Sequence, residues 1–289
     1  MKISTEIGSA AKHVGLEQAV ELTAKAGFDA WDFSIMAPWK YLPDTNMLSA
    51  ADHPLNGPDY LGLARRLKQI GLDNGIECNQ AHAPFPTSAK NARDCVLRAL
   101  ECCGEAGAQY CVIHPQNDAS PEENARMYRE LLPFAKACGV KIATENMYNW
   151  DKEKGVSIFA ACATPESFCR HIDLVDDPYL VACLDVGHAE MLGSGTTAVE
   201  MIQALGRRLC CLHLHDNDKH RDKHQIPFSM DIYFHPIVKT LKKIGYQGYF
   251  TLEADRYLRD RDAQFVPQGL KDMARAARTL ADWFEKEKN

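Results

Sequence analysis

The sequence predicts an α/β fold, a single (β/α)8 or TIM barrel, on the basis of three observations. Eight short apolar runs typical of strands recur along the 289 residues. Segments with helical periodicity separate these runs, and such an alternation is typical of a parallel sheet covered by helices. No change of composition divides the chain, and barrels of this length are ordinarily one domain. We therefore expect residues 1–289 to form one barrel domain.

The candidate strands are short and apolar enough to be buried. Continuous apolar stretches indicate strands buried on both faces, which implies a parallel sheet. The eight candidates are Lys2–Ile7, Phe28–Ser34, Ile76–Ala83, Gln109–His114, Lys141–Asn146, Leu180–Val186, Leu209–His215 and Tyr249–Ala254.

The candidate helices between them carry recognisable end signals. Gly27, Gly71, Gly107 and Gly139 each follow a helical segment, where a left-handed residue is expected. Thr164 before Pro165 is typical of a helix start. The predicted helices are Leu16–Ala26, Asp59–Ile70, Arg93–Ala106, Asn124–Cys138, one beginning at Thr164, and then about Thr197–Leu205, Pro236–Ile244 and Gln268–Lys286.

Two features complete the organisation of the chain. A doubly wound sheet is the weaker alternative, because no GxGxxG turn follows an early strand. The segment Ile35–Pro58 is a long loop with Trp39 and Tyr41. Loops of that length in compact domains are often lids or binding walls. A surface excursion remains the other interpretation.

Composition excludes several classes of protein. The 33 Lys and Arg residues against 39 Asp and Glu give a net charge of −6, which argues against partners such as nucleic acid or a membrane surface. No apolar run is long enough for a transmembrane helix, and the start lacks a secretory signal pattern. The 11 cysteines form no CxxC pair, so we expect reduced thiols in a cytoplasmic protein.

Polar residues concentrate at the predicted carboxyl ends of six successive strands, where such barrels have their active sites. Crowded carboxylates would repel each other unless a divalent cation lay between them. A mixed carboxylate and imidazole set suits Zn²⁺, Mn²⁺, Co²⁺ or Fe²⁺, and Mg²⁺ if water completes its shell. The residues at these ends are His82, His114, Glu145, Asp185 with His188, His213 with His215, and Glu253.

Our central hypothesis is one metal site made by Glu145, Asp185, His213 and Glu253. A cation that binds two adjacent oxygens of a hydroxy-ketone or hydroxy-aldehyde would stabilise an enediolate, and carboxylates on either face would remove and return the proton. The catalytic candidates are Glu145 and Glu253. His215 could also point inward, since strand residues alternate faces; it would then contact a ligand or the substrate.

These motifs resemble the xylose-isomerase-like TIM-barrel superfamily over nearly the whole chain. They are Glu145, Asp185-x-x-His188, His213-Leu-His-Asp-Asn and Glu253. The superfamily holds sugar isomerases and epimerases, inosose dehydratases, hydroxypyruvate isomerases and endonuclease IV. The resemblance implies the same four metal ligands and favours His213 over His215 as the histidine ligand. It also implies that the two glutamates transfer protons and that His188 contacts substrate hydroxyls.

The endonuclease IV branch uses three zinc ions, and its extra ligands match further residues here. They are His82, His114, His188, Asp222 and His224. Taken alone, the Asp222-Lys223-His224 sequence is more typical of a charged, solvated loop than of a metal site, and only the resemblance makes the two interpretations comparable. The segment after it, Gln225–Asp231, lacks the glycine-rich turn of the family, which leaves the placement of Asp222 and His224 open.

We therefore expect a divalent-metal-dependent isomerase or epimerase of a small carbohydrate, with no nucleic acid or membrane partner. The alternatives are a multi-zinc phosphodiesterase acting at abasic DNA, an inosose-dehydratase-like lyase and a non-catalytic sugar-binding barrel. The sequence leaves open the sugar, its phosphorylation, the metal and whether the chain forms a homo-oligomer.

Overall fold

Eight parallel strands form the wall of a barrel in the computed structural model, which describes residues 1–287. In chain order they are β1 (Ile3–Thr5), β2 (Ala30–Ser34), β3 (Glu77–His82), β4 (Tyr110–Val112), β5 (Lys141–Glu145), β6 (Leu180–Asp185), β7 (Leu209–His213) and β8 (Phe250–Leu252).

The strands close into a ring. Strands β2 to β7 pair side by side in chain order, and β1 pairs with β8. Two parallel bridges join these sheets, one between Glu6 and Asp32 and one between Leu214 and Leu252. The expected (β/α)8 barrel is thus confirmed.

Helices surround the barrel, and several begin with side-chain caps. Ser120 and Glu123 form a reciprocal capping box, as do Thr197 and Glu200, and Thr164 caps the helix that begins at Pro165. The helices are Gly8–Val14, Leu16–Ala26, Tyr60–Asp73, Ala92–Ala106, Pro121–Ala137, Pro165–Asp173, Val186–Glu190, Ala198–Leu205, Phe234–Lys243, Asp255–Arg259 and Val266–Lys286, with 3-10 turns at Pro54–Asn56, Gly206–Arg208 and Ala263–Phe265.

One predicted helix end is wrong. The third long helix continues past Gly71 to Asp73, and Gly75 adopts the left-handed conformation instead. Gly71 has a packing role, because a Cβ there would lie 2.8 Å from Trp31 Nε1. The predicted left-handed helix ends are confirmed at Gly27 and Gly107.

Two hairpins rise from the end of the barrel where the strands terminate. The long loop after β2 contains Trp39–Leu42 paired with Met47–Ala50. A second hairpin, Tyr148–Asp151 with Val156–Phe159, follows β5. Neither hairpin was predicted as a pair of strands. Both stand beside the polar strand ends.

The cysteines are free thiols, and most of them are buried. Burial raises the pKa of the Cys102 thiol to about 12, which makes it an inert packing group. Within residues 1–287, no helix has the length and apolar character needed to cross a bilayer.

Candidate active site

The predicted site residues do converge at the carboxyl end of the barrel. Four strands end on His82, Glu145, Asp185 and His213, and Glu253 follows the last residue of β8. Their side chains point into the barrel mouth and are almost fully buried. Parallel strands bring their carboxyl ends to one rim, so residues far apart in sequence become neighbours.

Glu145, Asp185, His213 and Glu253 form one cluster. Each offers a ligand atom, and these four atoms all lie within 4.8 Å of one another. His213 Nδ1 lies 2.8 Å from Glu145 Oε1 and 3.3 Å from Glu253 Oε2. The structure therefore brings together the four residues of the central hypothesis.

His82 and His114 lie against the same cluster. His82 Nδ1 is 3.1 Å from Glu253 Oε1, and His114 Nε2 is 2.9 Å from Glu145 Oε2. The two Nε2 atoms approach to 2.7 Å. Donor atoms of His82, His114 and Glu145 could thus hold an ion of their own.

His215 contacts Asp185 rather than the two glutamates. Its Nε2 lies 3.1 Å from both carboxylate oxygens of Asp185. His188 occupies the other side of Asp185, whose Oδ1 accepts a hydrogen bond from the His188 backbone N–H at 2.6 Å. This carboxylate links the central cluster to a second group of imidazoles.

The second group consists of His188, His215, Asp222 and His224, which are able to hold another ion. Asp222 Oδ2 lies 2.8 Å from His224 Nε2 and 3.6 Å from His188 Nε2. The His215 and His224 rings stack with centroids 4.0 Å apart. Asp222 and His224 therefore face the barrel mouth, although the loop after them lacks glycine.

The loop around His224 lacks glycine, and two of its other residues adopt the left-handed backbone conformation instead. His224 and Phe228 have φ of 43° and 73°. Asp216 anchors the loop, because its carboxylate accepts hydrogen bonds from the N–H groups of Met230 and Ile232 at 2.9 and 3.0 Å. Asp216 therefore has a scaffold role here, three residues after His213.

Asp32 is a site residue that sequence reasoning missed. It is buried in β2, and its Oδ2 lies 3.6 Å from His213 Nε2, the ring nitrogen that faces away from the glutamates. A carboxylate behind a histidine ligand fixes the tautomer and ring orientation. The available signal was a single acidic residue within the apolar run Ala30–Ser34.

Asn146 and Gly187 are two further positioning residues. The Asn146 side chain donates to the Asp185 carbonyl and accepts from the Asp185 N–H, and the Asn146 backbone carbonyl lies 2.9 Å from His188 Nδ1. At Gly187 a Cβ would lie 1.9 Å from His215 Cε1. Only a residue without a side chain allows His215 to lie this close.

The surroundings of the two glutamates favour their ionised form. Burial by itself raises the pKa of Glu145, but the charge of His213, its hydrogen bond to Oε1 and the neighbouring His114 imidazole bring it well below its usual range. Burial also opposes ionisation of Glu253, whose pKa is nevertheless lowered by His213 and His82. Two carboxylates are therefore available as bases at neutral pH.

The second group is also charged. Burial works against protonation of His224, yet the adjacent Asp222 raises the pKa of His224 to about 10. The pKa of Asp222 is well below its usual range, because His188 and His224 outweigh the effect of burial. Protons on these imidazoles stabilise the carboxylate that a cation would otherwise neutralise.

The donor atoms fit a divalent ion. Glu145 Oε2, His215 Nδ1 and Asp222 Oδ1 are buried and have no hydrogen-bond partner of acceptable geometry. Buried polar atoms are normally paired. Carboxylate and imidazole donors are the usual ligands of Zn²⁺, Mn²⁺ and Co²⁺.

A cavity of about 270 Å³ opens above these groups. Glu145, Glu253 and His188 are among the residues that line it, together with Arg256 and Arg259. This volume is near the lower end of the range for small-molecule pockets, roughly 300–1,000 Å³.

Solved structures with the same architecture include several sugar epimerases. A D-tagatose 3-epimerase-like protein superposes with a TM-score of 0.70 at 21% identity, covering 98% of this chain and 99% of that one. An L-ribulose 3-epimerase superposes with a TM-score of 0.70 at 16% sequence identity, covering 98% of this chain and 94% of that one. A 3-keto-D-glucoside 4-epimerase, YcjR from E. coli, superposes with a TM-score of 0.67 at 17% sequence identity, covering 94% of this chain and 98% of that one. At these identities the likeness is one of fold.

Sequence comparison gives a relative and a family. The chain is 27% identical over 263 residues to an uncharacterized protein, MJ1311, of Methanocaldococcus jannaschii, covering 85% of this chain and 80% of the relative. The family described as xylose isomerase-like TIM barrel matches residues 20–287. The chain belongs to the xylose isomerase-like TIM-barrel family.

Proposed function

We propose that this protein is a divalent-metal-dependent isomerase or epimerase of a small sugar or sugar derivative. One observation carries the proposal: the buried glutamates Glu145 and Glu253, from strands three apart, line a small cavity and lie in one cluster with Asp185 and His213. Carboxylates in this arrangement suit the removal of a carbon-bound proton and its return.

Glu145, Asp185, His213 and Glu253 would hold the metal. When bound, a divalent ion supplies Lewis-acid stabilisation of negative charge on substrate oxygens. The Asp32 carboxylate lies 3.6 Å from His213 Nε2, and Asn146 hydrogen-bonds the backbone of Asp185. The chain thereby keeps the donor atoms in place before any substrate arrives.

Proton transfer is assigned to Glu145 and Glu253. Their lowered pKa values keep both in the carboxylate form, so either can accept the proton. Return to the same carbon from the other face inverts the centre, and return to the neighbouring carbon isomerises the sugar. His82 and His114, which contact these carboxylates, are placed to hydrogen-bond substrate hydroxyls.

The named relatives of this fold support the same reaction class. One of the solved structures is named a D-tagatose 3-epimerase-like protein, and two others are named as epimerases of L-ribulose and of a 3-keto-D-glucoside. All three names describe epimerisation of sugars or sugar derivatives. An inosose-dehydratase-like lyase would begin with the same proton removal and differ in losing water afterwards.

A second candidate function is a multi-metal phosphodiesterase that acts at abasic DNA. The observation in its favour is the presence of three donor groups, one with His82 and His114, one central and one with Asp222 and His224. The small cavity and the net charge of −6 argue against a DNA substrate, since backbone binding depends on Lys and Arg.

Solvent hydrogen exchange tests the primary proposal. Metal-loaded protein in D₂O should incorporate deuterium into a ketose, aldose or inosose from a broad panel. Glu145→Gln should lower the exchange rate by at least about 100-fold, the lower end for general acid–base catalysis. Glu166→Gln, an exposed change on a helix, should leave the rate unchanged.

The proposal is wrong if no sugar in the panel gains deuterium with any of Mn²⁺, Co²⁺, Zn²⁺ or Mg²⁺. Incision of an abasic duplex, together with roughly three tightly bound zinc ions per chain, would establish the phosphodiesterase instead. Dehydrated product would establish the lyase.

A further inference from the structure

We propose that a second cavity beside the candidate active site binds a further sugar ring, so that the substrate is a glycoside or glycosyl-sugar rather than a free monosaccharide. This inference rests on the proposed function. The cavity has a volume of about 620 Å³, more than twice that of the cavity above the glutamates.

The two cavities adjoin each other. Phe85 and His114 line both of them. His114 also contacts Glu145, so a molecule that bridges the cavities would place one ring over the candidate catalytic carboxylates. The second ring would lie over the loops that follow β3 and β4.

Both hairpins contribute to the lining of this second cavity. Tyr41 comes from the hairpin after β2, and Asn149 comes from the hairpin after β5. The Tyr41 hydroxyl is fixed by a 3.0 Å hydrogen bond to Asn46, which in turn donates to the Ser88 carbonyl. The wall is therefore tied to the loop beneath it.

Aromatic surface in this cavity suits the apolar face of a sugar ring. Tyr41 is 37% exposed and Phe85 is 47% exposed, although both are large apolar side chains beside a polar site. Exposed aromatic groups next to a functional cleft are typical of binding surfaces. Gln116 and Asn117 add amide groups that match hydroxyls in both donor and acceptor capacity.

Two buried polar atoms in the lining have no protein partner. Thr87 is only 8% exposed, and its Oγ1 makes no hydrogen bond. His114 is equally buried, and its Nδ1 is also unpaired. Buried donors and acceptors are rarely left without partners. Both residues line the cavity in which we place the second ring.

The charge of the lining favours a neutral polyol. Asp118 and Glu123 contribute to the cavity, and no Lys or Arg of residues 1–287 does. A phosphate or a nucleic acid backbone would meet repulsion here, because such ligands depend on cationic side chains. Aromatic faces, amides and carboxylates without cations are suited to uncharged carbohydrate.

Binding measured by saturation-transfer NMR tests this inference without turnover. The probes are D-fructose and two of its glucosides, maltulose and isomaltulose, and a 3-keto-glucoside. We expect at least one glycoside to bind about tenfold more tightly than fructose, the factor that about 1.4 kcal/mol of ring stacking provides. Tyr41→Ala and Thr87→Val should abolish that advantage and leave fructose binding unchanged.

Lys40→Ala, an exposed neighbour outside the cavity, is the matched control and should preserve the advantage. The inference is overturned if no glycoside binds more tightly than fructose, or if both cavity variants keep the wild-type ratio. Failure of the proposed function is a separate result: absence of deuterium exchange with the binding ratio intact.

Discussion

Replacing Asp32 by asparagine tests the orientation of His213, the histidine of the proposed metal site. Asp32 Oδ2 lies 3.6 Å from His213 Nε2 and accepts a 2.9 Å hydrogen bond from the Gln80 amide. Asparagine has nearly the same shape and keeps one acceptor oxygen. The change therefore removes the negative charge behind His213 and little else.

The expected magnitude follows from the geometry. Loss of a carboxylate that supports a histidine ligand costs about 10–100-fold in metal affinity. Because the substituted asparagine would retain an acceptor near Nε2, we expect the lower end, about tenfold, which corresponds to ~1.4 kcal/mol. Stability without metal should not fall, since Asp32 Oδ1 is buried and unpaired in the parent protein.

Competition with a chelator measures the dissociation constant of the ion, and thermal unfolding of metal-free protein reports the structural effect. Asp94→Asn, an exposed change on a helix, is the control. The reasoning about Asp32 is refuted if D32N binds the metal as tightly as the parent protein, or if metal-free D32N is clearly destabilised.

Three further predictions concern stability. Burial, with a contribution from Asp255, raises the pKa of Glu6 to about 7. The free energy of unfolding of the wild type should therefore fall as the pH rises from about 4.5 to 7. Urea titrations at the two pH values should show that Glu6→Gln removes about 3 kcal/mol of that fall. Gly187→Ala should displace the His215 ring and cost about 1–3 kcal/mol in the same assay, and unchanged stability would contradict the packing argument. A divalent ion at 100 times its dissociation constant should add about 2.7 kcal/mol to the free energy of unfolding, an increase that Glu145→Gln should diminish in calorimetry.

The barrel could be predicted from sequence because its signals are local. Each buried strand is a short apolar run, and Gly27 and Gly107 end their helices as expected. Gly71 was wrongly predicted to end its helix, because a glycine needed for close packing against Trp31 looks the same in sequence as one needed for a left-handed turn. The hairpin of Trp39–Leu42 was also missed, because its strands are mostly exposed and lack apolar alternation.

The site could be predicted in part for a related reason. Glu145, Asp185 and His213 end their strands, so position along the chain already placed them at the rim. Asp32 lies inside a buried strand, and its contact with His213 depends on the curvature of the closed barrel. The second cavity is lined by residues from two hairpins that are far apart in the sequence. No local sequence pattern indicates that these hairpins border the same cavity.

Anomalous scattering from a crystal grown with saturating Mn²⁺ or Zn²⁺ is the most direct test of the metal site. We predict an anomalous peak within bonding distance of Glu145, Asp185, His213 and Glu253, with further peaks near His82 or Asp222 if more than one ion binds. A refined structure under those conditions with no peak at the barrel mouth, and with His213 still in contact with both glutamates, would contradict the account.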